Sequence, residues 1–188
     1  FEARAIFYRV QKGFDHFKVG IAVPVQAMIQ SEVSGVMFTI NPINNDPFTI
    51  VVESVWGLGE MIVQGSVTPD HFEIDRDKWL IRHKEISSQK VMLTKEKGVT
   101  KQYRVPESKV DKQKLDDDII LKVAKLGQKL QDHYNWPQDI EWAYEDDKIY
   151  IVQTRPITTM QAVESSKTIG ETANIEGGTP KALLTGSP

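Results

Sequence analysis

One stretch, DIEWAYEDDKIYIVQTRP at residues 139–156, constrains the fold more than any other part of the chain. Apolar and polar residues alternate on both sides of EDDK, which is the pattern of two antiparallel strands joined by a tight turn. The stretch therefore predicts a β-hairpin with one apolar face. The residues predicted to face inward are Ile140, Trp142 and Tyr144 on the first strand and Ile149, Ile151 and Val152 on the second.

The opposite face of this hairpin carries four polar side chains. Asp139 and Glu141 lie two residues apart on the first strand, and Gln153 and Arg155 lie two apart on the second, so the two pairs can face each other. Carboxylate and carbonyl oxygens are ligands for Mg²⁺, and a guanidinium can bind phosphate through two hydrogen bonds. The face is a candidate site for Mg²⁺ and phosphate. Spacing alone leaves open an ordinary ion pair between Glu141 and Arg155.

The remaining patterns predict an α+β fold, with an antiparallel sheet and packing helices. RAIFYRVQKGF predicts a short helix that stops near Gly13, and an apolar stripe predicts an amphipathic helix at about 116–133. Runs rich in β-branched residues predict strands at 19–29, 34–40, 48–56, 70–77 and 79–86, with Pro24 marking an edge or a bulge. The other segments are predicted as a turn at 41–47, a loop entering a short helix at 57–65, a polar surface excursion at 95–114 and a linker after Thr159.

Two weaker patterns could also contact a ligand. In WGLGE, Gly57 and Gly59 permit close backbone approach and Glu60 could contact a sugar hydroxyl or a cation, although a turn before a helix explains the pattern equally well. In VPVQAMIQ, Gln26 and Met28 could offer backbone groups to a flat heterocycle, and a core strand with methionine as filler is the alternative. The histidines have no metal-ligand spacing, which favours structural roles for His16, His71, His83 and His133.

Composition and charge argue against several classes of function. The net charge is −3 and the basic residues are scattered, so no basic stripe predicts nucleic acid as a partner. The chain contains no cysteine, which excludes disulfides and thiolate sites and is compatible with a cytoplasmic location. No apolar run approaches the roughly 20 residues that cross a bilayer, so we expect no membrane partner. The chain begins without methionine or a signal peptide, and we expect it to be part of something longer.

Three long segments, taken in order, resemble the phosphoenolpyruvate synthase and pyruvate phosphate dikinase family. They are VQAMIQSEVSGVMFTINP, VVESVWGLGEMIVQGSVTPDHFEID and PQDIEWAYEDDKIYIVQTRPIT. The likeness covers about residues 1–160 and corresponds to the carboxyl-terminal half of the family's nucleotide-binding domain. That domain has the ATP-grasp fold, in which two α+β lobes hold ATP between antiparallel sheets. The resemblance implies that this chain is a fragment of a larger multidomain enzyme.

The resemblance also implies roles for single residues. Glu141 and Gln153 match the acid and the amide that face the metal, Mg²⁺, and Arg155 matches the phosphate-binding arginine, so Glu141 and Arg155 become the expected catalytic residues. Asp139 is expected either on the phosphate side or behind the metal ligands, where it would hold another site residue. The other implied ATP contacts are Gln26, Met28 and Ile29 beside the adenine, Thr39 near the phosphates and Glu60 near the ribose.

The family's activity sets the expected function. Its members split ATP, pass a phosphoryl group to a histidine on a swivelling domain and deliver it to pyruvate on a third domain. RAIFYRVQKGFDHFKV and GLGEMIVQGSVTPD look more like the synthase branch, a gluconeogenic enzyme, than the dikinase branch that uses inorganic phosphate. Rifampicin phosphotransferases share the same motifs and remain an alternative. By the same resemblance, 161–180 is an inter-domain linker and 181–188 begins the phosphohistidine domain.

These expectations define what the chain could do by itself. It would carry one wall of an ATP site, bind nucleotide weakly or not at all alone, and be inactive in isolation. Its partners would be ATP and the phosphohistidine and pyruvate-binding domains of the same protein, which could assemble as a homo-oligomer. The alternative from a different class is a non-catalytic interaction module in which the hairpin charges only pair with each other.

Overall fold

The structure is a computed structural model that describes residues 2–20 and 22–158. The predicted linker at 161–180 and the predicted start of a phosphohistidine domain at 181–188 lie outside the described residues. Within the described part, the helices are α1 (Ala3–Gln11), α2 (Glu60–Val63) and α3 (Asp117–Tyr134), with a short 3₁₀ turn at Glu107–Lys109. The strands are β1 (Val33–Phe38), β2 (Thr49–Trp56), β3 (Asp70–Asp75), β4 (Leu80–Glu85), β5 (Val91–Glu96), β6 (Val99–Arg104), β7 (Gln138–Glu145) and β8 (Lys148–Pro156).

Six of these strands form one antiparallel sheet in the order β4-β3-β2-β1-β7-β8, and β5 and β6 form a separate two-stranded ribbon. This arrangement confirms the predicted α+β class and the antiparallel sheet. The predicted strands at 34–40, 48–56, 70–77 and 79–86 are all present, as β1 to β4. No helix in the described ranges is long and apolar enough to cross a membrane.

The core lies between one face of the sheet and α3, as the apolar stripe predicts. Ile120, Val123 and Ala124 of α3 are fully buried against strand residues. The strand side chains in this core are Val33, Met37, Ile50, Val52, Phe72, Ile74, Ile140 and Trp142. Two acids in the first turn of α3 suit the helix dipole. Because α3 covers this face, alternation directs the intervening strand residues to the opposite face.

The β7–β8 hairpin forms with the predicted polar pairs directly opposite each other. Asp139 pairs with Arg155 and Glu141 pairs with Gln153 in the antiparallel register. The register shifts after Glu141, and Trp142 then pairs with Ile151, so Val152 is the extra residue of a β-bulge. The predicted inward position of Val152 is therefore wrong, and its side chain is 39% exposed.

The predicted strand at 19–29 does not form. Its described residues join no sheet, and Val23 and Val25 are 76% and 100% exposed. Hydrogen bonds link the end of this segment and the residue after it to the β7–β8 hairpin: Gln26 Nε2 donates to Val152 O at 3.5 Å, and Gln30 N donates to Glu145 Oε1 at 3.1 Å. Local β-branched composition was a misleading signal, because a strand also requires a neighbour to accept its hydrogen bonds.

The prediction of a polar surface excursion at 95–114 is wrong in part. This region contains β6 and the end of β5, joined through Lys97 and Gly98, whose φ angles are +52° and +82°. Two consecutive positive φ angles are typical of a tight hairpin turn. At the other end of the region, Lys114 is only 3% exposed and bonds to Asp70, so the segment is anchored rather than solvated.

Candidate functional site

The sheet face opposite α3 carries a row of polar residues. In the strand register, His71 of β3 pairs with Glu53 of β2, Glu53 pairs with Val36 of β1, Val36 pairs with Glu141 of β7, and Glu141 pairs with Gln153 of β8. Residues that pair directly across neighbouring strands share a face. One side of the sheet is thus an apolar core, and the other presents carboxylates, an imidazole and an amide.

The ion pair on the hairpin is not the one that spacing suggested. Arg155 Nε donates to Asp139 Oδ2 at 2.8 Å, and the two side chains are 63% and 15% exposed. The alternative pairing of Arg155 with Glu141 is therefore incorrect. Among the described residues Glu141 has no ion-pair or hydrogen-bond partner for its half-buried side chain. A carboxylate in that position is available to a ligand.

A cavity of about 540 Å³ opens on this face beside Glu141. It brings together five of the nine predicted ATP contacts, which are Gln26, Met28, Ile29, Glu60 and Glu141. The segment that failed to form a strand is one wall of this cavity. Ala27 and Met28 of this wall are exposed and are available to a flat apolar ligand.

The other four predicted contacts lie elsewhere. Gln153, Asp139 and Arg155 lie on the same hairpin but are not among the residues that line the cavity. Thr39 is completely buried, and its Oγ1 accepts a hydrogen bond from Gln138 N at 2.8 Å. In this structure the Thr39 side chain therefore holds the start of β7, and its predicted role near phosphates stays a prediction.

The loop that contains GLGE is fastened to the strands on both sides. Ser34 Oγ donates to Gly57 O at 2.6 Å, and Leu58 N donates to Leu93 O of β5 at 2.8 Å. Gly57 has a φ of +79°, a conformation that favours glycine. This bonding places Glu60, the first residue of α2, at the cavity and ties the β5–β6 ribbon to the sheet.

The lining residues that sequence reasoning missed include Lys95 of β5 and Thr100 of β6. They pair directly across the ribbon. The signal that could have found them is the alternation through VMLTKEKGVTKQYR, which contains a turn at Lys97 and Gly98. The polar composition concealed the ribbon, because most of its residues face solvent.

The donor set on the hairpin fits Mg²⁺. Glu141 offers a carboxylate and Gln153, directly opposite, offers an amide oxygen, and Mg²⁺ prefers oxygen ligands. In the described ranges, no cluster of three or more histidine, aspartate or glutamate residues could hold a metal ion. A site with two protein oxygens still suits Mg²⁺, because this ion usually keeps waters and substrate phosphates among its ligands.

One histidine lies on the same face, between two carboxylates. His71 Nδ1 is 3.4 Å from Glu53 Oε1, and its Nε2 is 3.7 Å from Glu73 Oε1. The hydrogen bond with Glu53, supported by the charges of both carboxylates, raises the pKa of His71 despite partial burial. This group is held by protein carboxylates, in line with the structural role that the sequence favoured.

The fold and the cavity define the class of protein: an α+β lobe with a ligand cavity on the face of an antiparallel sheet opposite α3. Comparison with known proteins then gives the family. Residues 1–175 match the family described as pyruvate phosphate dikinase, AMP/ATP-binding domain. The chain belongs to that family.

Similar proteins come from archaea and bacteria. Phosphoenolpyruvate synthase of Pyrococcus furiosus is 46% identical over 93% of this chain and 22% of its own length. Probable phosphoenolpyruvate synthase of Archaeoglobus fulgidus is 48% identical over 99% of this chain and 24% of its length. Rifampicin phosphotransferase of Bacillus cereus is 37% identical over 87% of this chain and 19% of its own length. The chain thus spans about a fifth to a quarter of the length of these relatives.

Proposed function

We propose that this chain is a section of the ATP-binding domain of a phosphoenolpyruvate synthase and that its cavity is part of the ATP site. The observation that carries the proposal is the hairpin register, which sets Glu141, a lining residue of the cavity, opposite Gln153, with Asp139 and Arg155 as the next polar pair along the hairpin. Family membership and the synthase relatives support it. An interaction module would not need an unpartnered half-buried carboxylate in a cavity of this size.

Each residue has a definite task in this proposal. The extended segment from Gln26 to Ile29 binds the adenine, and Glu60 binds the ribose. Glu141 and Gln153 would hold Mg²⁺, which neutralises phosphate charge when it is bound. Asp139 bonds Arg155 through Nε, so the two terminal nitrogens of the guanidinium remain available for phosphate oxygens. Catalysis by these residues is positioning and charge stabilisation.

The larger protein is also part of the proposal. The sheet and α3 would be one lobe of an ATP-grasp domain, with residues 1–160 in that domain, 161–180 as a linker and 181–188 as the start of the phosphohistidine domain. The phosphoryl group would pass to a histidine there and then to pyruvate, in the cytoplasm. The unpacked helix α1 supports a larger assembly, because it has no buried residue and exposes Phe7 and Val10 by 70% and 64%.

A second candidate is supported by one finding. The Bacillus cereus relative is a rifampicin phosphotransferase at 37% identity. If this chain is a section of a rifampicin phosphotransferase, the roles proposed for Glu141, Gln153 and Arg155 stay the same. Only the phosphoryl acceptor differs. Comparing pyruvate with rifampicin as the acceptor separates the two candidates directly.

The test uses the full-length protein of which we propose this chain to be a section. We expect Glu141→Gln and Gln153→Ala each to lower Mg-ATP-dependent phosphorylation of pyruvate about 100-fold or more, as loss of a preorganised charge contact does. Glu107→Gln, an exposed residue outside the cavity, is the matched control. Circular dichroism checks that each variant is folded. Unchanged turnover in the Glu141 and Gln153 variants would contradict the proposal and favour a non-catalytic module.

A further inference from the structure

The β5–β6 ribbon supplies a cation to the cavity. Lys95 of β5 and Thr100 of β6 both line it. The two residues are direct cross-strand partners, so their side chains share one face of the ribbon. The ribbon is therefore a wall of the cavity and not only a surface excursion.

Two cavities adjoin at the ribbon, and Lys95 lies between them. Met92 and Thr94 of β5 line a second cavity, of about 320 Å³, and do not line the first. Lys95 is adjacent in sequence to Thr94 and therefore projects from the other face of the strand. Lys95 borders both cavities, whereas its cross-strand partner Thr100 borders only the first one. Lys95 and its cross-strand partner Thr100 thus share with Glu60 and Glu141 the lining of the first cavity.

Lys95 differs in charge from the other charged residues that line the cavity. Of the described residues that line it, two are acidic, Glu60 and Glu141, and Lys95 is the one base. Lys95 is half-buried and has no ion-pair or hydrogen-bond partner in the described part of the chain. Its neighbour Lys101 is different, since its Nζ lies 2.8 Å from Glu96 Oε2. An ammonium group in the cavity lining that no protein carboxylate holds is available to an anionic ligand.

We propose that Lys95, the base of the β5–β6 ribbon in the cavity lining, binds the phosphate groups of the nucleotide. This inference rests on the proposed function, because it takes ATP as the ligand of the cavity. A polyphosphate brings several negative charges to a lining whose protein charges are otherwise acidic, and a charge-assisted hydrogen bond from Lys95 offsets part of that repulsion. Lys95 then contributes to nucleotide affinity and leaves the hairpin to position the transferred group.

The experiment compares Lys95→Met with Lys97→Met in the same full-length protein. Lys97 carries the same charge on the same ribbon but lies in its turn, is exposed and does not line the cavity. We expect Lys95→Met to raise KM for Mg-ATP about tenfold or more, since it removes a hydrogen bond between charged groups, with kcat changed by less than about threefold. Lys97→Met should leave both constants as in the wild type. Lys95→Arg should recover most of the affinity.

Adenosine, which has no phosphate groups, tests whether Lys95 contacts the phosphates or another part of the nucleotide. The inhibition constant of adenosine, measured in competition with Mg-ATP, should be the same in wild type and Lys95→Met within about twofold if Lys95 contacts phosphate. An equal loss for adenosine and Mg-ATP would overturn the phosphate assignment, and an unchanged KM for Mg-ATP would overturn the inference altogether. If the wild-type protein does not use Mg-ATP, the proposed function is wrong. Failure of the Lys95 inference alone would instead appear as the same KM for Mg-ATP in the wild type and in Lys95→Met.

Discussion

At the scale of single residues, the most deeply buried charges serve the structure and not the cavity. Asp70 and Lys114 are completely shielded at their side chains, and Lys114 Nζ lies 2.6 Å from Asp70 Oδ1. Asp70 also accepts hydrogen bonds from the backbone N–H groups of Ser87 and Lys114. This cluster fastens the segment before α3 to the end of the sheet. A buried charge pair contributes little net stability, but removing one partner leaves the other charge uncompensated.

We therefore expect Asp70→Asn to lower the free energy of unfolding by about 3–5 kcal/mol. Urea denaturation followed by circular dichroism measures the change. The matched control is Asp117→Asn, which removes an exposed partner of Lys84 and should cost no more than about 1 kcal/mol. Equal losses of unfolding free energy in the two variants would show that burial does not increase the contribution of the Asp70–Lys114 pair to stability.

His71 makes the stability of the chain depend on pH. Its pKa is raised in the folded state by the hydrogen bond with Glu53, so the folded form binds the proton more tightly than the unfolded form. The stabilisation is fully present below the unfolded pKa of about 6.5, and it is lost as the pH rises through the folded value. The advantage of wild type over His71→Gln should therefore shrink as the pH increases from 6 to 8.

Urea unfolding at several pH values measures this difference. His83→Gln is the control, because His83 pairs with Glu85 at an exposed site, where an ion pair contributes about 0–1 kcal/mol. A wild-type advantage over His71→Gln that stays constant across this pH range would contradict the assignment of a carboxylate-stabilised imidazole.

At the scale of secondary-structure elements, the position of the β5–β6 ribbon depends on one glycine. Gly57 pairs with Leu93 in an isolated parallel bridge, and its φ is +79°. A Cβ atom at Gly57 would collide with the carbonyl oxygen of Leu93. The ribbon carries Lys95, so this contact between loop and strand also sets one wall of the cavity.

We expect Gly57→Ala to displace the ribbon, to lower stability by about 1–3 kcal/mol, and to weaken nucleotide binding. The matched control is Gly98→Ala, whose φ is +82° but whose Cβ would meet nothing within 4 Å. Both variants have the same backbone cost, so the difference between them isolates the collision. Denaturation and KM for Mg-ATP measure the two effects, and equal values in the two variants would mean that the bridge does not position the ribbon.

At the scale of the whole molecule, the amino-terminal part is separate from the core. Helix α1 is amphipathic but has no buried residue, and Phe17 in the segment that follows is 93% exposed. The core is built from the six-stranded sheet and α3. Apolar side chains that are exposed in one element contribute little to the stability of the rest.

Deletion of residues 1–20 should therefore change the free energy of unfolding by no more than about 0.5 kcal/mol, as substitutions in exposed regions do. Chemical denaturation of the chain with and without these residues measures it. The control is a deletion of residues 148–158, which removes β8 and should unfold the hairpin. A large loss of stability in the first deletion would show that α1 packs against the sheet in solution.

The sequence determined those features that depend on local pattern. Alternation specified the β7–β8 hairpin and predicted that Asp139 and Glu141 share one face of the first strand and that Gln153 and Arg155 share one face of the second, because side chains two residues apart share a face of a regular strand. The 3.6-residue period specified α3 and its buried stripe. The family resemblance, confirmed by the comparison, added ATP as the expected ligand. These predictions need no knowledge of distant contacts.

Only the tertiary structure decided which distant residues meet. It left the segment at 19–29 without a partner strand, so that Gln26, Met28 and Ile29 became a cavity wall. It paired Arg155 with Asp139, and it brought Lys95 to the cavity of Glu141. The physical reason is that strand pairing, bulges and ribbon docking depend on contacts far apart in sequence, where local propensity carries no information about the partner.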